Sequence, residues 1–361
     1  MKSTKTVSPI VPANRVTLAD IVKASGMSRS TVSRALTGNG YVNPEKKKHI
    51  LATAEQLGYR VSTLARALRT QRSMTLGVLL ADITNPLFPA IVKGIEEGVS
   101  PAGYTLFLCN TDENPQRQQT LIRSLLDRQV DGLIMVSQSL NEHSRQLLSN
   151  GPPCVFVNRM QSDMDGDYIG PDNSQAMNLL LDHLYALGHR RIACVTGPAQ
   201  SSTARERKEA WLSGMSRLGC DVPSDYMVEG DYHTSSGRRI AEQLLSCQPR
   251  PTAILAANDF VALEIIKVLN EHGLIVPDEM SVCGFDDAFG AHYMALAILQ
   301  QKGLTTVDQP KRELGQAAAH AMISRLGAPQ AAAIRTILPV VLQARDTSGK
   351  AHEGNPHFEL K

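Results

Sequence analysis

The sequence predicts a two-part α/β protein: a small all-helical N-terminal unit, then a larger region of two Rossmann-like lobes. Three observations carry this expectation. Residues 1–75 hold 13 Lys+Arg against 3 Asp+Glu, a balance of +10, while the rest holds 24 against 32, a balance of −8. Three helix signals fall in quick succession in the basic part. From residue 75 onward, short apolar runs alternate with longer amphipathic segments, the pattern of a parallel sheet with helices on both faces.

At 361 residues, 42% apolar and 20% charged, the chain is long enough for two or three cored domains. The six cysteines (109, 154, 194, 220, 247, 283) form no C-x-x-C pair, and most sit in apolar runs such as IACVTG. They are expected to be buried free thiols, not disulfides or zinc ligands. No segment reaches membrane-spanning length and MKSTKTVSPIVPANR lacks a signal-peptide core, so a cytoplasmic location is expected. Residues 1–14 and 347–361 are expected to be disordered.

The first helix signal is TLADIVKASG, with Thr17 as N-cap, Asp20 three residues on, and Leu18, Ile21 and Val22 as its apolar stripe. Gly26 supplies a sharp turn. Ser28 then caps a second helix, GMSRSTVSRAL, with Val32, Ala35 and Leu36 facing inward and Arg29, Ser30, Ser33 and Arg34 outward. Asn43 and Pro44 open a third helix, for which Ile50, Leu51, Ala54 and Leu57 are the expected buried face and Gly58 the stop. Two helices joined by a tight glycine turn and backed by a third make a helix-turn-helix unit, expected over residues 15–60. Its polar face is either an ordinary solvated surface or one built to lie on a polyanion. The balance of +10 favours the polyanion, because arginine binds guanine bidentately and hydroxyls bond bases or phosphates.

These residues carry a resemblance. VTLADIVKASGMSRSTVSRALTGNGYVNPEKKKHILATAEQLGY resembles the DNA-binding headpiece of the LacI/GalR (lactose-repressor) family. The likeness continues through ARALRTQRSMTLGVLLADITNPLFPAIVKGIE almost to residue 346. The resemblance implies that Arg29, Ser30 and Arg34 read bases. It also implies that Thr17, Leu18, Ser28, Thr31, Ser33, Tyr41 and Asn43 contribute to the DNA face, mostly by holding the backbone. Within the expected hinge and linker, 61–72, the segment VSTLARALRT (61–70) matches the family's hinge helix, with Leu68 as the apolar wedge for the minor groove. Val61 and Ser62 stand where the family usually has a Pro-Asn pair.

In the remainder, strands are expected at 75–80, 104–109, 132–136, 154–158, 191–196, 252–257 and 280–285. Helices are expected at 87–101, 115–129, 174–187, 204–218, 235–246, 260–272 and 311–326. So many strands in two groups suggest two lobes. By resemblance these form a periplasmic-binding-protein type 1 domain over 73–346, crossed near 159–171, 298–306 and 333–337. Ligands of such sheets lie at the strands' carboxyl ends, where Asp82, Asn85, Asn158, Arg159, Asn258, Asp259, Asp286 and Asp287 cluster. By motif, the resemblance places the effector on Phe88, Asn158, Arg159, Arg207, Tyr232, Asn258 and Asp286. Such groups suit the paired donors and acceptors of a sugar. Many sugar-responsive relatives carry aspartate where Asn158 stands. Asp259 and Asp287 are expected to hold loops, Trp211 to be core, and His183 and His189 to make surface or capping contacts.

No G-x-G-x-x-G, Walker loop, G-x-S-x-G or H-E-x-x-H is present, and the histidines show no metal spacing. Neither an enzyme nor a cofactor is expected. A transport binding protein shares the lobes but not the basic head. The resulting expectation is a repressor acting as a homodimer or tetramer on pseudo-palindromic double-stranded DNA, controlled by a small carbohydrate. A corepressed or activating regulator responding to a nucleobase is the alternative.

Overall fold

The computed structural model describes residues 16–38, 40–59, 70, 72–137, 139–160, 164, 166–288 and 303–352. The chain divides into two units, Met1–Ser73 and Met74–Lys361. The expected tail 1–14 and nearly all of the expected hinge, Leu68 included, lie outside the described residues.

In the first unit, helices α1 (Leu18–Ser25), α2 (Arg29–Thr37) and α3 (Pro44–Gln56) are each started by a cap legible in the sequence. Asp20 accepts from both the backbone N–H and the hydroxyl of Thr17 at 2.8 Å. Ser28 Oγ accepts from Thr31 N at 3.2 Å, and Asn43 Oδ1 from Glu45 N at 3.0 Å. These bonds satisfy donors that the first turn of a helix otherwise leaves unpaired. Gly26 ends α1 at φ 68°, a left-handed position that favours glycine and turns the chain into α2. Ile21, Val32, Ala35, Ile50 and Ala54 form the core. The third helix departs from expectation: Leu51 and Leu57 are 44% and 38% exposed, and Thr53 is buried in their place. Its side chain can sit inside because its hydroxyl donates to His49 O at 2.8 Å.

In the second unit, six parallel strands form one sheet: β1 (Thr75–Leu80), β2 (Thr105–Asn110), β3 (Gly132–Val136), β4 (Cys154–Val157), β5 (Asp167–Pro171) and β11 (Arg335–Leu338), ordered β11-β5-β4-β3-β1-β2. Four more form a second parallel sheet: β6 (Ile192–Thr196), β7 (Met227–Glu229), β8 (Ala253–Leu255) and β9 (Ser281–Cys283), ordered β7-β6-β8-β9. An antiparallel pair, β10 (Thr306–Asp308) and β12 (Val341–Gln343), joins β9 through bridges at Cys283–Thr305 and Asp286–Asp308. Among the described residues the helices of this unit are α4 (Leu87–Val99), α5 (Pro115–Asp127), α6 (Glu142–Ser149), α7 (Asn173–Ala186), α8 (Ser202–Arg217), α9 (Thr234–Leu245), α10 (Asp259–Glu271) and α11 (Lys311–Gly327). Central strands such as GLIMV are buried along their whole length, as helices on both faces require. Trp211 lies fully buried in the core of the second sheet, as expected.

The three crossings between sheets fall later than expected. Residues 167–171 are a strand of the first sheet, so the chain leaves it at Asp172 and enters α7 in the second core. Strand β10 still belongs with β9, and the return follows it, at Gln309–Pro310. The final passage lies between β11 and β12, at Pro339–Val340. In each case a short strand read as linker, because its residues are polar or include Gly and Pro.

Helix α11 returns to pack against α4 through small residues. A Cβ on Gly94 would lie 2.1 Å from Arg312 O, one on Gly315 2.1 Å from Ile91 O, and one on Gly98 2.4 Å from Ala319 Cβ. Only hydrogen at these positions lets the two backbones touch. Arg312 closes the pair with two bonds to Glu97, at 2.6 and 2.8 Å.

The expected disorder of 347–361 does not hold for residues 347–351, which are stitched to the second sheet; residues 353–361 lie outside the described residues. Thr347 O accepts from Val282 N and its Oγ1 donates to Val282 O. Ala351 N donates to Leu187 O. His189 anchors this strap and is buried, not the surface or capping residue expected. Its Nδ1 pairs with Thr252 Oγ1 at 2.9 Å, and its Nε2 with Ser281 Oγ and Gly349 O, each at 3.0 Å. Burial lowers its pKa below the usual histidine value, outweighing the opposing bond to Gly349 O; desolvation lowers that of neighbouring His183 as well. The folded form therefore binds fewer protons than the unfolded one as pH drops below about 6.5. Stability should be complete above that pH and decline on acidification toward the folded-state pKa. Urea midpoints at pH 7.5 and 5.5 test this, and His189→Gln should reduce the decline. An equal decline in both proteins would show that this histidine is not the cause.

Candidate DNA-reading face and ligand cleft

On the first unit, α2 presents Arg29, Ser30 and Arg34 to solvent, with Thr31 and Ser33 half-buried behind them. Neither arginine makes an ion pair among the described residues, and the stem of Arg34 rests 3.2 Å from where Gly40 would carry a Cβ. Ser28 Oγ lies 3.0 Å from Ser30 Oγ and 2.8 Å from Thr31 Oγ1, so these hydroxyls form one cluster at the start of the helix. Thr17 and Asn43 are exposed at the starts of α1 and α3, Tyr41 is 83% exposed, and Leu18 is half-buried against the small core. Two free guanidiniums, a hydroxyl cluster and helix N-termini are what a phosphate-lined groove with acceptor-rich base edges requires.

In the second unit, all seven expected effector residues line a single cavity enclosing about 490 Å³ of space outside the atoms, part of it open to solvent. Each comes from the carboxyl end of a strand or from an adjoining helix. Asn158 and Arg159 follow β4, Tyr232 follows β7, Asn258 follows β8 and Asp286 lies beyond β9. Phe88 and Arg207 sit on α4 and α8. The same walls carry Asp82, Asn85, Glu113, Ser137, Thr203 and His233. Sequence reasoning missed the last four, although Glu113 and Ser137 follow β2 and β3 and obey the same strand-end rule.

The backbone here is unusual. Asn158, Tyr232 and Asp286 have φ of 70°, 67° and 113°. Asparagine tolerates this region, but tyrosine and aspartate adopt it at a cost that functional sites commonly carry. Tyr232 is accommodated by Gly197, where a Cβ would lie 2.0 Å from its ring.

The polar groups divide by what they already bond. Asn258 caps α10 by accepting from Val261 N at 2.9 Å and donates to Tyr232 O at 2.9 Å, so its amide is used largely in holding the wall. Arg207 donates to Asn173 Oδ1 and Ala257 O at 2.8 and 3.0 Å, with its guanidinium 3.3 Å over the Phe285 ring. Arg159 pairs with Glu113 at 3.1 Å and lies 4.6 Å over the Tyr232 ring, which belongs to the opposite half. Asn158 Nδ2 bonds Ser137 Oγ at 2.9 Å, while Asn158 Oδ1 and Arg159 Nε are buried with no protein partner. Burial raises the Asp286 carboxyl well above the usual range, against the opposing charge of Arg207. Asp259 is raised too, by burial and by Asp286, but it is a scaffold group, accepting from Thr306 Oγ1 at 2.6 Å and Ala288 N at 2.7 Å. Asp287 holds Arg345 with two bonds, at 2.7 and 2.9 Å.

Comparison with known proteins agrees with both units. Residues 17–62 match the model of the LacI family of bacterial regulatory proteins, and residues 73–345 that of periplasmic binding proteins and the sugar binding domain of the LacI family. The chain is 33% identical to the ribose operon repressor of Escherichia coli K12, over 92% of this chain and 99% of that one. It is 32% identical to the transcriptional repressor PurR of Photobacterium profundum, over 86% and 92%. Among solved structures, the lac repressor dimer bound to operator and the anti-inducer ONPF aligns with a TM-score of 0.80 at 27% identity, covering 93% of this chain and all of that one. A LacI family regulator of Enterococcus faecium with bound ribose aligns at 0.65 and 28% identity, covering 77% and 100%. A basic helix-turn-helix head and a cleft at the strand ends of paired parallel sheets thus occur here in one chain, which belongs to the LacI family of bacterial regulatory proteins and is a DNA-binding transcriptional regulator with a periplasmic-binding-protein-like ligand domain.

Proposed function

We propose that the chain is a repressor, acting as a homodimer, in which Arg29, Ser30 and Arg34 read operator bases and the cleft binds a small neutral polyhydroxylated effector of the carbohydrate class. The observation that carries the effector reading is the buried pair on the cavity wall, the acceptor Asn158 Oδ1 and the donor Arg159 Nε, both without protein partners. Buried polar groups are costly unless bonded, so the ligand that completes this site brings a donor and an acceptor close together. A sugar hydroxyl is both. Asp286 and Arg207 offer another acceptor and donor from the opposite wall. The Arg159 guanidinium is already paired with Glu113, which favours a neutral ligand over a sugar acid. The ring of Tyr232 is covered by Arg159, which disfavours stacking of a planar nucleobase there. The relatives named for ribose regulation or solved with ribose bound support the same class.

Calorimetry and thermal shift against D-ribose, other pentoses, hexoses, gluconate and hypoxanthine test this reading. A ligand at a hundred times its Kd should add about 2.7 kcal/mol of stability. Response only to gluconate or hypoxanthine would overturn the carbohydrate assignment. For the DNA face, the probe is an operator selected by the wild-type protein from random duplexes. Arg34→Ala and Arg29→Ala should each weaken binding by about 1–3 kcal/mol and relax specificity at one base pair. Unaltered affinity and specificity in both variants would move the reading surface elsewhere.

A further inference from the structure

We propose that Gln309 is a positioning residue of the cleft: its side-chain amide fixes the Asp286 carboxylate toward the ligand and ties it to the start of α11. The proposal rests on the reading of the cleft given above. Asp286 sits at φ 113°, a conformation that a non-glycine residue keeps only under restraint by its surroundings. The restraints come from one short segment. Asp286 N donates to Val307 O at 2.9 Å, Lys311 Nζ donates to Asp286 O at 2.9 Å, and Gln309 Nε2 donates to Asp286 Oδ1. That segment is where the chain passes from β10 to α11 and returns to the first sheet.

Gln309 is 1% exposed, and its Oε1 is buried without a partner. For packing alone, leucine would fill this space without a stranded acceptor. The glutamine is accounted for by its donor, which is the only side-chain donor to the Asp286 carboxylate among the described residues. The cations facing Asp286 are otherwise engaged: Arg207 of α8 with Asn173 and Ala257, Arg159 beyond β4 with Glu113, and Lys311 of α11 with Asp308. The carboxylates of Asp259 and Asp287 lie nearby, and Asp286 helps to raise the first. Burial raises the Asp286 carboxyl and the Gln309 bond opposes that rise. Removing the bond therefore leaves the acidic form favoured to higher pH.

The test is a carboxyl-carbon titration of the full, ligand-free chain labelled at aspartate Cγ, with the Asp286 signal assigned by its loss in Asp286→Asn. In Gln309→Leu the midpoint should rise by roughly half a unit or more, since a hydrogen bond to the charged form is lost. Gln309→Glu keeps the shape, places a second carboxyl against the first, and should raise it further. It also serves if the leucine variant fails to fold. A purely structural Gln309 would lower the melting temperature of these variants and leave the Asp286 midpoint unmoved, which would overturn the proposal. The titration uses no effector, so its failure is separable from failure of the cleft assignment, for which Asp286→Asn effector response is the measure.

Discussion

Gly315→Val is expected to unfold or nearly unfold the second unit. Its new Cβ would stand 2.1 Å from the carbonyl oxygen of Ile91 and 2.8 Å from Ile95 N, both backbone atoms of α4. A flexible side chain could rotate away; a helix backbone cannot. Overpacking in a close-packed core costs about 1–3 kcal/mol where side chains can adjust, and occasionally more. Here α4 and α11 must separate along their length, exposing Ile91, Ile95, Leu314 and Ala318, all fully buried. Native domains have only about 5–15 kcal/mol in total. Urea unfolding should show a large drop in midpoint for Gly315→Val and a smaller one for Gly315→Ala. Wild-type midpoints in both would mean that the helices do not meet through these glycines.

Asp286→Asn should abolish effector response while leaving operator affinity unchanged in the absence of effector. The substitution keeps the shape and the place of Gln309 but turns an acceptor facing the ligand into a group that also donates. A mismatched buried polar contact costs about 1–3 kcal/mol, and one to an ionised group more, enough to weaken the effector ten- to a hundredfold. Arg207→Ala should lose the response too, but it is a poorer probe. It strands Asn173 Oδ1 and Ala257 O, bares the Phe285 ring and removes the charge that most opposes the rise of the Asp286 carboxyl. Some loss of stability must follow, so its phenotype mixes folding with binding. Operator release measured by fluorescence anisotropy, alongside calorimetry, separates the two. A wild-type response in Asp286→Asn would place the effector outside this cleft.

How far the sequence could be read depended on which force sets each feature. Caps and glycine turns are local, so Thr17, Ser28, Asn43 and Gly26 announced the head almost residue by residue. Long apolar strands such as TLGVLL and GLIMV have no reading but burial, and their carboxyl ends located the cleft. What escaped was non-local. The strands DYIGP, MVE and VLQ are short or polar and exist because neighbours pair with them. Leu51 lies on the apolar stripe of α3, yet nothing among the described residues covers it, while Thr53 turns inward by bonding its own helix. His189 read as a surface residue because the strap that buries it lies 160 residues away. Gln309 carries no motif; its meaning appears only beside Asp286.

The threading of the second unit also sets an order of assembly. Strand β5 is the edge of an unfinished sheet until β11 emerges, and β9 lacks its outer partners until β10, β12 and the 347–351 strap are made. Domains are formed as units, from the N-terminus, while the ribosome is still working. The three-helix head has a core of its own, so it can be complete while both sheets of the ligand domain still wait for strands. During synthesis the nascent chain therefore carries a finished DNA reader ahead of a finished sensor, and control by the effector arrives only with the late strands.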